Sequence, residues 1–518
     1  METVGIETNL ETEARAQDQT RKHIRGSSLL LVGRIIAMAI NFGVQVLTVR
    51  YLSKSDYGAF AYALTVVSTA SMAALFGLDK AIVRFVPIYH ERKDYKKMFG
   101  TVLIALATIA AIGLAMVLLV FGLRGFLTST VITDPLSISL LLILIALSPM
   151  EALDSVFQGL LAVFAQPRAI FFRRHILGPG LKLAAVLLVI VSRSNVYLLA
   201  AGYLLGGLLG ILVYVSMLAR VLKDTGLLAY LNLRELKIPA REIFSFSLPL
   251  LSSDLVSIAR TTMIVVLLGY FHSTTSVAEF RAIVPVAGLN LLVLQSFKFL
   301  YTPLAARMFA REDREGINKL YWQTAVWIAV LSFPIFVLSF SLARPLTVLL
   351  FGDRYAESGL LLALLAFGNY FNAALGFNTY TLRVYGRVGY IVLVDVITTL
   401  LSLGLSLLLI PRFGALGAAI SASSTLVIYN LLNHTGLLLR TGIDLFQWRY
   451  LRVYLSIVGS ALVIFFLQEI LGLHFVVSIL LAGVVSLALV RFNRRVLDIL
   501  GMFPELGKLP LMRPLLGL

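Results

Sequence analysis

Apolar windows of about twenty residues succeed one another along nearly the whole chain, separated by short polar segments. A helix of that length crosses a hydrocarbon layer about 30 Å thick. Fourteen such windows stand out, over residues 27–49, 58–83, 98–121, 136–157, 176–191, 196–219, 243–268, 277–303, 320–341, 358–380, 390–410, 415–439, 453–471 and 475–490. The pattern predicts an all-α polytopic membrane protein with 14 transmembrane helices, and an even count places both termini on one side. Little chain is left for a soluble catalytic domain, since the longest segment between spans covers only residues 220–242.

Charge distribution orients the spans. Lys and Arg collect in cytoplasmic loops of membrane proteins. With both termini cytoplasmic, the inner segments hold 31 of the 44 Lys and Arg, the outer loops hold 7, and no inversion occurs along the chain. The net charge of +17 is therefore accounted for by topology and by attraction to anionic membrane lipids, and no nucleic-acid partner is expected. Only 14% of residues are charged, against about 25% in soluble chains. Cysteine is absent, which excludes disulfides, thiolate metal sites and cysteine nucleophiles. The first 26 residues run from an acidic stretch into RKHIR with no small-residue cleavage site, so no removable signal peptide is expected. The chain is placed in the cytoplasmic membrane.

An offset of 219 aligns Tyr51 in RYLSKSDYG with Tyr270 in GYFHSTTSV, and VIVSRS around Ser192–Ser194 with LLIPRF around Pro411–Phe413. Both pairs fall at matching helix boundaries, which suggests a duplicated six-helix half; chance likeness between apolar helices is the other reading. The expected organisation is a cytoplasmic tail (1–26), an N-lobe (27–220), an inter-lobe linker (221–242), a C-lobe (243–440), two extra helices (441–491) and a cytoplasmic tail (492–518). Even-numbered halves form a parallel repeat, as in transporters that alternate around a midplane cavity.

Ionisable residues inside spans face a partner or a hydrated cavity. In the first span Ser27, Arg34, Asn41, Gln45 and Thr48 recur on one helical face, and Arg281, Gly288, Gln295, Lys298 and Thr302 repeat the arrangement in the eighth. Asp254, Ser257, Arg260 and Thr261 do likewise in the seventh, and Asn369, Asn372, Thr379 and Arg383 in the tenth. Arg34 and Lys298 are the principal candidates for an anionic substrate group, followed by Arg260, Arg281 and Lys182. Asn41, Gln45, Gln295, Asn369 and Asn372 are candidates for hydrogen bonds to sugar, or equally for helix packing. Asp254 and Asp395 are candidates for a coupling proton or sodium ion. Structural pairing competes with each assignment: Glu151 and Asp154 could neutralise Arg34 or Lys298, and Asp79 adjoins Lys80. Gly202, Gly206 and Gly210 read as a close-packing face. All six histidines fall in predicted loops or near span ends, so neither a buried relay nor a metal site is expected. The absence of a Walker-type glycine loop removes support for direct ATP drive, and no cofactor is expected. Residues 496–518 mix apolar residues with Pro, Lys and Arg and read as a segment lying on the inner membrane surface.

The segments RYLSKSDYGAFAYA, GLDKAIVRFVP and LLIPRFGALGAAISAS resemble the Wzx-type lipid-linked oligosaccharide flippases, the polysaccharide biosynthesis branch of the multidrug/oligosaccharidyl-lipid/polysaccharide exporter superfamily. The resemblance implies two six-helix lobes that turn a polyprenyl diphosphate-linked oligosaccharide from one leaflet to the other, with basic residues, among them an Arg on the first helix matched by Arg34, holding the diphosphate. Other polysaccharide-assembly proteins are expected partners. Lipid II flippases carry an Arg-Asp pair on that helix, whereas Ile35 follows Arg34 here, which ranks lipid II second. A multidrug or cation antiporter would favour an acidic or aromatic cavity. A membrane-embedded glycosyltransferase or polymerase would need paired carboxylates in a long surface loop, and Asp224, Glu235 and Glu242 in the longest one form no catalytic grouping; a non-enzyme is expected. A non-transporting scaffold for polysaccharide assembly remains a third rival.

Overall fold

The computed structural model describes residues 29–132, 134–232, 234–444 and 446–498, with the side chains of 131, 252–261 and 299 outside that description. Among the described residues, twelve helices are long and apolar enough to cross a membrane. One of them, Val388–Thr441, contains two spans that meet at Gly414, and Ala240–Phe271 is a further 32-residue helix. Each of the fourteen windows thus coincides with a helix. We label them α1 (Leu29–Tyr51), α2 (Lys54–Glu91), α3 (Tyr95–Gly122), α4 (Pro135–Val163), α5 (Pro167–Val191), α6 (Val196–Asp224), α7 (Ala240–Phe271), α8 (274–310), α9 (Arg314–Ser339), α10 (Ser358–Val384), α11 (388–413), α12 (415–441), α13 (Leu451–Leu471) and α14 (Phe475–Phe492). Contacts divide the chain into two compact units, Met1–Ile258 and Ala259–Leu518, with the division inside α7.

In the N-terminal unit α4 packs against α2, α3 and α6, and α5 lies along α6. Gly77 lets α2 change direction: it adopts a left-handed φ of +69°, and Ser247 of α7 sits over the bend, 3.0 Å from where a Cβ would be. The first half of α7 is fixed to α2 by aromatic edges, Phe244 on Phe76 and Phe246 on Phe85. The linker before α7 docks on the start of α3. Lys96 pairs with Glu235 at 2.6 Å, Lys97 with Glu242 at 3.6 Å, and the Tyr95 ring lies 4.4 Å from that of Tyr230. The hydrogen bond from Lys96 holds the exposed Glu235 carboxyl below its usual range.

In the C-terminal unit α10 occupies the corresponding place against α8, α9 and the α11–α12 pair. α13 and α14 pack on α9, where Ser341 donates to the Ala461 carbonyl at 2.7 Å, while Tyr454 of α13 donates to the Ala374 carbonyl of α10 at 2.9 Å. The two boundary segments matched by the offset of 219 touch within each unit. Tyr51 donates to the Ser194 carbonyl at 3.1 Å in one, and His272 Nε2 lies 2.6 Å from the Ile410 carbonyl in the other.

Candidate functional site

α5 begins nine residues before the sequence window does. Pro167 occupies its first turn, where a missing N–H costs nothing. The next stretch, Phe171–Leu177, is wound as a π-helix that carries Arg173, Arg174 and His175. Such widened turns recur at functional sites because they redirect side chains without ending the helix. Here the widened turn directs Arg173 into the unit, where its side chain is only 8% exposed. Arg173 forms an ion pair with Asp154 of α4, its Nε donates to the Gly210 carbonyl of α6 at 3.0 Å, and its guanidinium lies 4.8 Å from the Tyr214 ring centre. Gly210 is required for this arrangement, because a Cβ there would overlap the guanidinium.

Beside this pair is a cavity of about 250 Å³ enclosed by α1, α4, α5 and α6. Its polar lining comprises Asn41, Glu151, Asp154, Arg173, Arg174, Lys182 and Tyr203. Glu151 accepts a hydrogen bond from Ser71 and interacts electrostatically with Lys182. Lys182 Nζ lies 5.6 Å from the Tyr203 ring centre. Two carboxylates face three cations, and Arg174 and Lys182 are exposed while Arg173 is buried. A wall with surplus positive charge, an amide and a phenol can hold an oxyanion and hydrogen-bond a polar group next to it.

Of the residues singled out from sequence, Asn41 and Lys182 meet in this cavity. Arg34 is exposed on α1 within electrostatic range of His175, and Gly33 beside it allows α1 to lie against the His175 and Phe171 rings. Gln45 donates to Tyr57 at 2.5 Å, joining α1 to α2. In the C-terminal unit the exposed Lys298 and Arg383 flank the Tyr380 ring, 5.0 and 5.8 Å from its centre, and neither makes an ion pair among the described residues. Arg281 is half-buried, Gln295 is exposed, and the half-buried Asn369 donates to the Leu365 carbonyl of its own helix at 2.8 Å. Asn372 is half-buried on that helix, and Asp395 is half-buried on α11. The side chains of Asp254 and Arg260 lie outside the described residues.

Three expectations are corrected. Asp154 is neutralised by Arg173, not by Arg34 or Lys298, because the π-helical turn carries Arg173 inward. His175 and His434 are buried within helices, the latter with Nδ1 at 3.2 Å from the Tyr321 hydroxyl. Gly202 and Gly206 do pack against α5, at Ala185 and Leu181, but Gly210 accommodates a charged side chain. The inward turn of α5 was not recognised from sequence; the signal available was Pro167 placed as a helix start ahead of FFRRHIL.

Residues 23–299, over half of the 518, match the family described as polysaccharide biosynthesis protein. The chain is 22% identical over 419 residues to an uncharacterized membrane protein of Methanocaldococcus jannaschii, covering 77% of this chain and 81% of that one. It is 26% identical over 182 residues to the capsular polysaccharide biosynthesis protein CapF of Staphylococcus aureus, covering 35% and 46%. Among solved structures, the lipid II flippase MurJ in an inward closed conformation superposes with a TM-score of 0.68 at 15% identity, over 92% of this chain and 100% of that one. An inward-facing multidrug resistance MATE family transporter of the MOP superfamily superposes at 0.63 and 14% identity, over 79% and 96%. The fold is shared with both. This multi-pass membrane chain belongs to the polysaccharide biosynthesis protein family.

Proposed function

We propose that the protein is a flippase of the cytoplasmic membrane, not an enzyme, that moves a polyprenyl diphosphate-linked oligosaccharide between leaflets by alternating access. The observation that carries the reading is the cationic cavity of the N-terminal unit, where Arg174 and Lys182 stand exposed beside the Asn41 amide. A diphosphate cannot enter hydrocarbon without neutralisation, and a guanidinium binds phosphate oxygens bidentately while an amide serves a sugar hydroxyl. The polysaccharide biosynthesis family supports a glycan as cargo, and the fold shared with a lipid II flippase supports a lipid-linked one. Arg34 on α1 and Lys298 on α8 are the further diphosphate contacts in this reading. A proton or sodium ion supplies the drive, with Asp254 and Asp395 as its carriers. Membrane lipids and other polysaccharide-assembly proteins are its partners.

The test is transport of a fluorescent polyprenyl diphosphate-oligosaccharide in proteoliposomes, read by its accessibility to an external quencher. The parent transports the substrate, and Arg34→Ala with Lys298→Ala slows it at least tenfold, the loss of about 1.4 kcal/mol. Equal rates for parent and double variant remove those two residues from the mechanism. Transport of lipid II in preference to the oligosaccharide assigns the other cargo.

A further inference from the structure

The C-terminal unit carries a larger hollow, of about 850 Å³, where several helix ends converge. α8 stops before Arg311, α9 starts at Arg314, α11 starts after Arg387, and α12 ends at Thr441. Left-handed residues Glu312, Gly386 and Gly442 turn the chain sharply at three of these ends. The turns leave Arg314, Arg387 and Arg440 on one wall, with Glu312 as its lone carboxylate. All three arginines are exposed, and none makes an ion pair among the described residues. The adjacent Asp313 caps α9, accepting from the Gly316 amide at 2.8 Å.

Three guanidinium groups sharing one wall repel one another, and an anion that bridges them relieves the repulsion. A free ion would leave the rest of the wall unexplained. Phe309, Leu438 and Leu439 also line it, exposed by 43%, 40% and 69%. In a membrane-spanning chain, apolar side chains that continue from a cationic pocket match a molecule with a charged head and hydrocarbon tails. The hollow lies among the basic segments assigned to the cytoplasmic side, where anionic lipids concentrate.

We propose that this hollow holds an anionic phospholipid of the surrounding leaflet, its phosphate on Arg314, Arg387 and Arg440 and its acyl chains along Phe309, Leu438 and Leu439. The site is independent of the transport reading. It binds a lipid that stays with the protein.

The experiment measures lipid retention by the full chain, purified in neutral detergent, using native mass spectrometry and thermal melting with phosphatidylglycerol, phosphatidylcholine, inorganic phosphate and a polyprenyl diphosphate. Phosphatidylglycerol is retained and raises the melting temperature, and phosphatidylcholine is retained roughly tenfold less. The combined R314Q, R387Q and R440Q change weakens phosphatidylglycerol retention roughly 100-fold. Leu439→Glu, an exposed position that leaves the arginines intact, weakens it as well and carries the test should the triple variant not fold. Parent-level retention by these variants, or equal retention of the two phospholipids, overturns the proposal. So does displacement by millimolar phosphate, which makes the hollow a free-anion site, or by equimolar polyprenyl diphosphate, which makes it a station for cargo.

Discussion

A guanidinium removed from water needs both a counter-charge and acceptors for its donors. Arg173 finds Asp154 on α4, the Gly210 carbonyl on α6 and the face of Tyr214. Three helices are therefore tied together through one side chain. Replacing Asp154 by Ala leaves the cation without its counter-charge, and removing one partner of a buried pair costs about 3–5 kcal/mol. We expect Asp154→Ala to lower the melting temperature of the purified protein sharply. Asp154→Ala combined with Arg173→Met, which removes both charges, recovers most of the loss. A double variant no more stable than the single one would show that the pair contributes by packing and not by charge. Little of this was legible in the sequence. Glu151 and Asp154 stand out as acids in an apolar run, yet the cation that pairs with Asp154 comes from residues assigned to a loop, because FFRRHIL carries too much charge to read as a span. Hydropathy registers how polar a segment is and contains no information about which way a widened turn points it.

At the scale of the helices, sequence and structure agree closely, because a span is specified by the length of its apolar run and little else. The boundary between α11 and α12 shows why. Pro411 lacks an amide hydrogen, and Gly414 takes φ +54° with ψ −129°, a combination open almost exclusively to glycine. The bend interrupts helical pairing near the Ile410 carbonyl, and His272 Nε2 approaches that carbonyl to 2.6 Å, so this nitrogen carries the proton. The His272 ring also lies 3.3 Å from where a Gly414 Cβ would be. Gly414→Ala therefore suffers both backbone strain and a tight contact, and we expect a destabilisation of about 1–3 kcal/mol. Gly404, seven residues upstream of Pro411 in α11, faces open space. There an Ala should stabilise the helix by about 0.5–1 kcal/mol. Opposite shifts of the two variants in thermal melting would confirm that the bend is specified by the backbone; a neutral Gly414→Ala would refute it. The apolar windows 390–410 and 415–439 placed this boundary correctly. They gave no sign that a histidine 138 residues earlier would complete it.

For the molecule as a whole, the strongest constraint is the asymmetry of its basic residues, 31 in one set of connecting segments and 7 in the other. Lys and Arg resist translocation, so the set that holds them stays cytoplasmic, and each added or missing helix would exchange the two sets from that point onward. Because fourteen helices account for the whole pattern, the sidedness of every loop is fixed together. The absence of cysteine makes this directly measurable, since a single introduced thiol has no background. Lys93→Cys and Arg311→Cys lie in exposed turns assigned to the inner side, one in each unit; Ser129→Cys and Asp353→Cys are exposed and assigned to the outer side. In intact cells a membrane-impermeant maleimide should label the Ser129 and Asp353 variants and spare the other two. In inverted vesicles the pattern should reverse. Agreement within the N-terminal unit and reversal within the C-terminal unit would reveal an odd number of crossings between them and end the parallel arrangement of the two halves. Uniform reversal would instead leave the fold intact and exchange the inner and outer loops throughout, setting this chain against the rule that Lys and Arg stay cytoplasmic.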